Sequence, residues 1–323
     1  MSRDEAISLL GSNWTAFEEI VGRKLHSGIG ILDSVNSSLW SNSGKKLRPM
    51  VSLLMAGALG GINEESVAYA AACEILHNAT LLHDDVADDS ATRRGKPTLS
   101  ALMGPRNAVL VGDFWLSKAV ELIIGTRHQD DAIPMFSRTL SDLAEGEMLQ
   151  LEKAASADTT EQDYLRIVCC KTASLFETAC KTAALSTGAS PAMMDAASQY
   201  GTATGIAFQI RDDIFDYGTT PQIGKPVGSD IREGKITLPL LGAFLNAPSE
   251  EARIRAMVAD IRQHPDSCAE IHDFVLANGG LEYAAARLDD FVAEGLRALE
   301  AMPSSEHKQA LEGVARYNAI RTV

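Results

Sequence analysis

Helical periodicity runs through the chain and leaves little sequence from which a sheet could be built. Leu281, Ala284, Ala285, Leu288, Phe291, Val292, Leu296 and Leu299 recur at offsets of three and four, the stripe of an amphipathic helix. The one run with strand character, Ile236 to Leu240, is short and contains Pro239, which cannot donate to a ladder. The pattern predicts an all-α fold with about ten to thirteen helices of ordinary length. No linker or shift in composition interrupts it, so residues 1-323 read as a single large helical domain.

Composition narrows the function classes. With 46% hydrophobic and 22% charged residues the chain is globular, which excludes an extensively disordered or collagen-like protein. Its 29 Lys+Arg against 43 Asp+Glu give a formal charge of -14. That balance argues against nucleic-acid binding, which needs a basic footprint, and favours a cationic partner, unless a metal ion reverses the rule locally. The start, Met1-Ser2-Arg3-Asp4-Glu5, is acidic where a secretory signal has a basic region, so export is not expected. The most apolar stretch, Met50 to Ile62, is broken by Ser52 and three glycines and falls short of the roughly 18 apolar residues of a spanning helix. Cys73, Cys169, Cys170, Cys180 and Cys268 form an odd set without a C-x-x-C pair, as expected of reduced thiols in a cytoplasmic protein.

Two breaks combine glycine, proline and basic residues: Ala91 to Pro105, and Gly218 to Gly234. Each follows an aspartate cluster, and long loops in that position read as lids over a site. The clusters are Leu82-His83-Asp84-Asp85-Val86-Ala87-Asp88 and Ile210-Arg211-Asp212-Asp213-Ile214-Phe215-Asp216, both D-D-x-x-D. On a helix, residues four apart share a face, so Asp84 with Asp88, and Asp212 with Asp216, each project two carboxylates the same way. Such pairs repel unless a cation neutralises them, and both are embedded in apolar helix. Oxygen-only sites of this kind suit Mg²⁺, which keeps several waters and is completed by phosphate oxygens. A Ca²⁺-binding helix-loop-helix is disfavoured, because a loop starting at Asp84 would need an oxygen ligand at Val86 and a glycine at Asp89.

His77-Asn78-Ala79-Thr80-Leu81-Leu82-His83-Asp84-Asp85, Arg93-Arg94-Gly95-Lys96-Pro97-Thr98, Val111-Gly112-Asp113-Phe114 and Phe208-Gln209-Ile210-Arg211-Asp212-Asp213 follow one another in an order that closely resembles the trans-type polyprenyl diphosphate synthases. The look is nearest to the octaprenyl diphosphate synthase group, and the likeness runs from Gly44-Lys45-Lys46-Leu47-Arg48-Pro49 to about Leu240. It implies an isoprenoid synthase fold around a central tunnel, a homodimer, and about three Mg²⁺ ions per site. The metal ligands would be Asp84, Asp85, Asp88, Asp212, Asp213 and Asp216. Lys45 and Arg48 lie three apart, on one helical face if the helix begins there. By resemblance they bind isopentenyl diphosphate together with His77 and Arg94. Arg93, Lys171, Lys225 and Lys235 match residues that hold the allylic diphosphate, and Thr172 and Gln209 match residues beside the reacting carbons. Arg211 receives no role.

The resemblance implies head-to-tail condensation of isopentenyl diphosphate onto an allylic diphosphate: ionisation, condensation, then loss of a proton to the departing diphosphate. Side chains four and five before Asp84, Thr80 and Ala79, would face the growing chain, with Leu76 a turn deeper. Bulky aromatics there close the tunnel in short-chain members, so these small residues imply a long product, of the hexaprenyl to decaprenyl class. Trp115, Leu116 and the segment Ala119 to Ile124 are further candidates for the tunnel wall or floor. The alternatives are a farnesyl or geranylgeranyl diphosphate synthase, a class I terpene cyclase, and a non-catalytic subunit of a heteromeric synthase.

Overall fold

The computed structural model of the chain describes residues 3–218 and 228–320. In chain order the helices are α1 (Arg3–Leu10), α2 (Ser12–Lys24), α3 (Gly30–Ser41), α4 (Leu47–Ala58) and α5 (Glu64–Ala87). A small hairpin, β1 (Thr92–Arg93) and β2 (Lys96–Pro97), leads to α6 (Leu99–Met103), α7 (Pro105–Ile124) and α8 (Gln129–Ser156). Then come α9 (Glu161–Val168), a π-helical turn at Cys169–Ala173, α10 (Ser174–Ser186) and α11 (Pro191–Asp216). Beyond residue 227 lie α12 (Ser229–Arg232), α13 (Leu238–Asn246), α14 (Glu251–Ala259), α15 (Ser267–Ala277), α16 (Gly280–Leu299) and α17 (Glu306–Ile320).

The all-α expectation holds, with more helices than ten to thirteen. Pieces as short as α6 and α12 raise the count, because a stripe of three or four residues is invisible to a periodicity argument. The strand-like run at Ile236 to Leu240 is corrected too: Pro239 opens α13 from its first turn, where a missing N–H costs nothing. The only strand pairing among the described residues is the hairpin, with Arg93 opposite Lys96. Its two-residue turn puts Arg94 at φ 52° and Gly95 at φ 73°, the double left-handed geometry of a type I′ turn. The expected loop from Ala91 to Pro105 is therefore a hairpin and a helical turn. Of the second break, residues 229–232 form α12, and 219–227 lie outside the described residues.

The chain divides into two compact units, Met1–Ser137 with Leu175–Ser198 and Ala298–Val314, and Arg138–Ser174 with Gln199–Arg297 and Ala315–Val323. In the first, α5 is apolar on nearly every side and packs against α2, α4 and α7. Its start is fixed by a capping box: Ser66 N–H donates to Asn63 Oδ1 at 2.9 Å and Asn63 N–H to Ser66 Oγ at 3.0 Å. Glu64 and Glu65 in its first turn suit the helix dipole. Close approach of α7 depends on Gly112, where an added Cβ would stand 2.3 Å from the His83 ring. In the second unit, Ile206, Ile210, Leu238, Ile254, Ile271 and Leu288 belong to one continuous core. No helix among the described residues is long and apolar enough to cross a membrane.

Candidate active site

The first aspartate cluster stands at the C-terminal end of α5. Asp84 and Asp85 are in the last turn, and Asp88 caps it, its N–H donating to the Asp84 carbonyl at 2.8 Å. The negative end of the helix dipole disfavours carboxylates there, so the cluster is poised for a cation. Asp85 is buried and accepts from Arg93 Nε at 2.7 Å, which ties the hairpin to the helix. Arg94, held in its left-handed turn conformation, packs its guanidinium onto Gly44; a Cβ at that position would lie 2.0 Å from Arg94 Nη1. Left-handed backbone is uncommon outside glycine, and such outliers concentrate at functional sites.

His77 is drawn into the same grouping. Burial lowers its imidazole pKa well below the usual value, and the charges of Arg48, Arg94 and Arg93 lower it further. It is therefore neutral and able to donate one hydrogen bond and accept another. Arg48 lies with its guanidinium over the Phe176 ring, 4.7 Å from the centroid. All five residues expected to bind diphosphate from this half of the chain lie in the first unit, and Arg48, Arg93 and Arg94 act electrostatically on His77. Lys45 differs in detail: α4 begins at Leu47, so Lys45 precedes it and does not share a helical face with Arg48. The cause is Lys46, which takes the N-cap position at φ 50° with its ammonium 2.8 Å from Glu18 Oε1 and 3.9 Å from the Trp40 centroid. Lys46 is a structural anchor, whereas Lys45 is exposed.

Glu74 belongs to this cluster and was not expected. It is 2% exposed, and burial pushes its carboxyl up to about 7, against the opposing pull of Arg48, Lys46, Asn78 and Arg94. Its only signal in the sequence is an acidic residue in the apolar run of α5.

The second cluster closes α11 in the other unit. Asp213 is buried and doubly held: Tyr164 Oη donates to Oδ2 at 2.6 Å and Gln209 Nε2 to Oδ1 at 2.8 Å. Gln209 Oε1 in turn accepts from Thr172 Oγ1 at 2.8 Å. Burial raises the Asp213 pKa well above the carboxylate range, Asp230 and Asp212 add to this, and the Tyr164 and Gln209 hydrogen bonds oppose it. Asp216 acts as a clamp on α12, accepting from Ser229 N–H at 3.1 Å, Ser229 Oγ at 2.7 Å and Asp230 N–H at 2.9 Å. Thr172 and Lys171 sit on the π-helical turn, an irregularity that recurs at functional sites. Gly146 of α8 lets this turn approach; a Cβ there would fall 2.7 Å from Cys170 Cβ and 2.8 Å from Lys171 Cγ. The Lys171 ammonium pairs with Glu147 and donates to Gln150 Oε1 at 3.0 Å. Lys235 pairs with Glu233. Lys225 lies outside the described residues.

The polyprenyl synthetase family model matches residues 30–275. The chain belongs to the polyprenyl synthetase family. Octaprenyl diphosphate synthase of Escherichia coli (strain K12) is 33% identical over 316 residues, covering 98% of either chain. All-trans-nonaprenyl-diphosphate synthase (geranyl-diphosphate specific) of Rhodobacter capsulatus is 35% identical over 319 residues, 97% of this chain and 96% of that one. Among solved structures, a polyprenyl synthase from Caulobacter crescentus CB15, complexed with calcium and isoprenyl diphosphate, superposes with a TM-score of 0.92 at 33% identity, covering 100% of this chain and 98% of that one.

As a polyprenyl synthetase the chain is a prenyltransferase of the all-α isoprenoid synthase type, in a family that generally depends on a divalent metal. The donor chemistry fits such a metal. Both clusters offer hard carboxylate oxygens at helix ends, with cationic side chains in the same unit as each. Among the described residues no three His, Cys, Asp or Glu side chains form a ready-made cage. Mg²⁺ sites typically take only one or two carboxylates and finish with water and phosphate. Tyr164 and Asp230, like Glu74, escaped sequence reasoning: a buried tyrosine on a helical stripe looks like core, and only the fold brings it to Asp213.

Two tests follow from these environments. An ordinary glutamate loses its proton near 4.5, whereas folded Glu74 keeps it to about 7. Between those values the folded state binds more protons, so this residue makes stability fall as pH rises. Glu74→Gln is expected to flatten that slope in urea unfolding at pH 5 and pH 7; an unaltered slope would contradict the assignment. Tyr164→Phe removes one donor from buried Asp213 and should cost about 1–3 kcal/mol of unfolding free energy, measured by the shift in urea midpoint.

Proposed function

We propose that this polyprenyl synthetase condenses isopentenyl diphosphate head-to-tail onto an allylic diphosphate, with Mg²⁺, and builds a long chain of the hexaprenyl to decaprenyl class. The observation that carries the reading is the grouping of Arg48, Arg93 and Arg94 around a neutral His77 in the unit that also bears the first aspartate cluster. A fixed, partly desolvated set of guanidiniums is what a small dianionic headgroup needs, since bidentate charge-assisted bonds supply both affinity and orientation.

In this reading Lys45, Arg48, His77 and Arg94 hold the diphosphate of isopentenyl diphosphate without metal. Arg93, Lys171, Lys225 and Lys235 offset charge on the allylic diphosphate. Asp84, Asp85, Asp88, Asp212, Asp213 and Asp216 would hold Mg²⁺, about three ions, which when bound neutralises the diphosphate and makes it a better leaving group. The Thr172–Gln209–Asp213–Tyr164 chain of hydrogen bonds fixes the Gln209 amide; in this reading Thr172 and Gln209 would lie beside the reacting carbons, where a fixed dipole would stabilise the charge that develops as the allylic bond breaks. The substrate proton leaves with the diphosphate, so no side chain serves as a general base.

Small residues before Asp84 support a long product. Ala79 and Leu76 are buried and Thr80 is partly buried, its hydroxyl donating to the His77 carbonyl at 2.9 Å. The names of the octaprenyl and nonaprenyl relatives agree with that length. A homodimer is proposed through α7, which exposes Val109, Leu110, Val120 and Ile124. Five cysteines, all free thiols, suit the reducing cytoplasm in which we place the enzyme.

Incubation with Mg²⁺, isopentenyl diphosphate and an allylic primer should yield long linear diphosphates; cyclised products or none would refute the reading. Asp84→Ala and Asp212→Ala should each lower turnover by orders of magnitude while circular dichroism stays native, and near-normal activity in either would overturn the metal assignment. Ala79→Phe should shorten the main product by several isoprene units, read by chromatography of the dephosphorylated alcohols. An unchanged distribution would remove Ala79 from the chain path.

A further inference from the structure

A cavity of about 540 Å³ in the first unit lies on a different face of α5 from Asp84. At about 100° of turn per residue, Asn78, Leu81, Leu82 and Asp85 form one side of this helix, and Leu76, Ala79, Thr80 and Asp84 form the other. The first set borders the cavity; Lys45, Arg48 and His77 do not. α3 supplies a second wall through Ser34, Val35, Ser38 and Leu39, again one helical face. Trp115, expected as tunnel lining, borders this chamber, its indole N–H donating to Asn36 Oδ1 at 2.8 Å.

The chemistry of the lining is two-sided. Arg93, Arg94 and Lys96 contribute three positive charges, and Asp85 one negative charge that already accepts from Arg93. Lys96 is oriented by a hydrogen bond to Asn42. The same lining includes the apolar side chains of Leu39, Leu82, Leu99 and Leu102. A concave, largely apolar chamber of a few hundred cubic ångströms with a few fixed polar groups is the usual form of a small-molecule site. An anion suits the cations and an apolar chain suits the rest, so the occupant favoured is a molecule that joins the two.

We propose that this cavity is a second, regulatory site for an anionic headgroup on an apolar tail, the chemistry shared by isoprenyl phosphates and fatty alkyl phosphates. A headgroup on Lys96 and Arg94, with its tail among Leu39, Leu82 and Leu99, competes for Arg93 and Arg94 and withdraws them from the substrate diphosphates. Occupancy therefore inhibits. The inhibition rests on the roles proposed above for Arg93 and Arg94; the binding itself does not.

The test uses the full chain with two probes, farnesyl monophosphate and dodecyl phosphate, and with dodecanol and inorganic phosphate as tail-only and headgroup-only controls. Binding is followed by calorimetry and inhibition by product formation. Ser38→Trp fills the chamber and Lys96→Glu reverses a charge at its mouth, and neither residue belongs to the catalytic or substrate-binding set. At least one amphiphile should bind, each variant should weaken that binding about tenfold or more and relieve inhibition, and basal turnover should be unchanged. Preference for the farnesyl probe identifies an isoprenoid ligand, and equal binding a general alkyl anion. If neither amphiphile binds, or both variants bind like the wild type, the site is overturned and the condensation reaction stands. If binding is lost in the variants yet never affects turnover, the regulatory coupling is overturned, and with it the roles given to Arg93 and Arg94.

Discussion

Six aspartates at the C-terminal ends of two long helices are the constraint around which the rest of the chain is arranged. The helix dipole opposes them, their neighbours repel them, and the helices that carry them are apolar. Left alone, such clusters would fray the last turns. Each unit instead supplies local relief: Arg93 to Asp85, Tyr164 and Gln209 to Asp213, and the first N–H groups of α12 to Asp216.

The cationic side of the site is built with strained backbone. Arg94 and Lys46 both sit in left-handed conformations, each at a cost of order 1–3 kcal/mol that surrounding contacts must offset. For Lys46 the offset is visible in Glu18 and Trp40. For Arg94 it is the hairpin turn and the bare backbone of Gly44. Glu74 then sits inside this positive cluster as a buried counter-group near its own titration point. Its burial disfavours ionisation, the arginines favour it, and the balance leaves the local field adjustable by a single proton.

Much of this was legible from residue types and spacing. The aspartates four apart, the paired arginines and the small residues before Asp84 need only the helical period to be placed. The fold class followed from the same period. What escaped reading depends on backbone details that no period encodes. The π-helical turn that carries Lys171 and Thr172 lies between α9 and α10, where no feature of the residue pattern announces it. The distinction between Lys45 and Lys46 turns on one left-handed residue, and Pro239 starts a helix where it had suggested a broken strand. Tyr164 reaches Asp213 across 49 positions of sequence, so only the packed core reveals the pair.

The two sides of α5 meet different surroundings. Asp84 and the residues one and two turns before it occupy one side, and Asn78, Leu81, Leu82 and Asp85 the other. Adjacent aspartates in the D-D-x-x-D motif are therefore divided between faces: Asp84 lies on the side of Leu76, Ala79 and Thr80, while Asp85 anchors Arg93 at the border of the cavity. A motif that reads as one unit is thus spread over two sides of the helix, with one of its carboxylates already tied to Arg93. The Asp85–Arg93 bond holds the hairpin against α5 at the border of the cavity, and a doublet of aspartates is the shortest sequence able to place carboxylates on two sides of a helix that turns about 100° per residue.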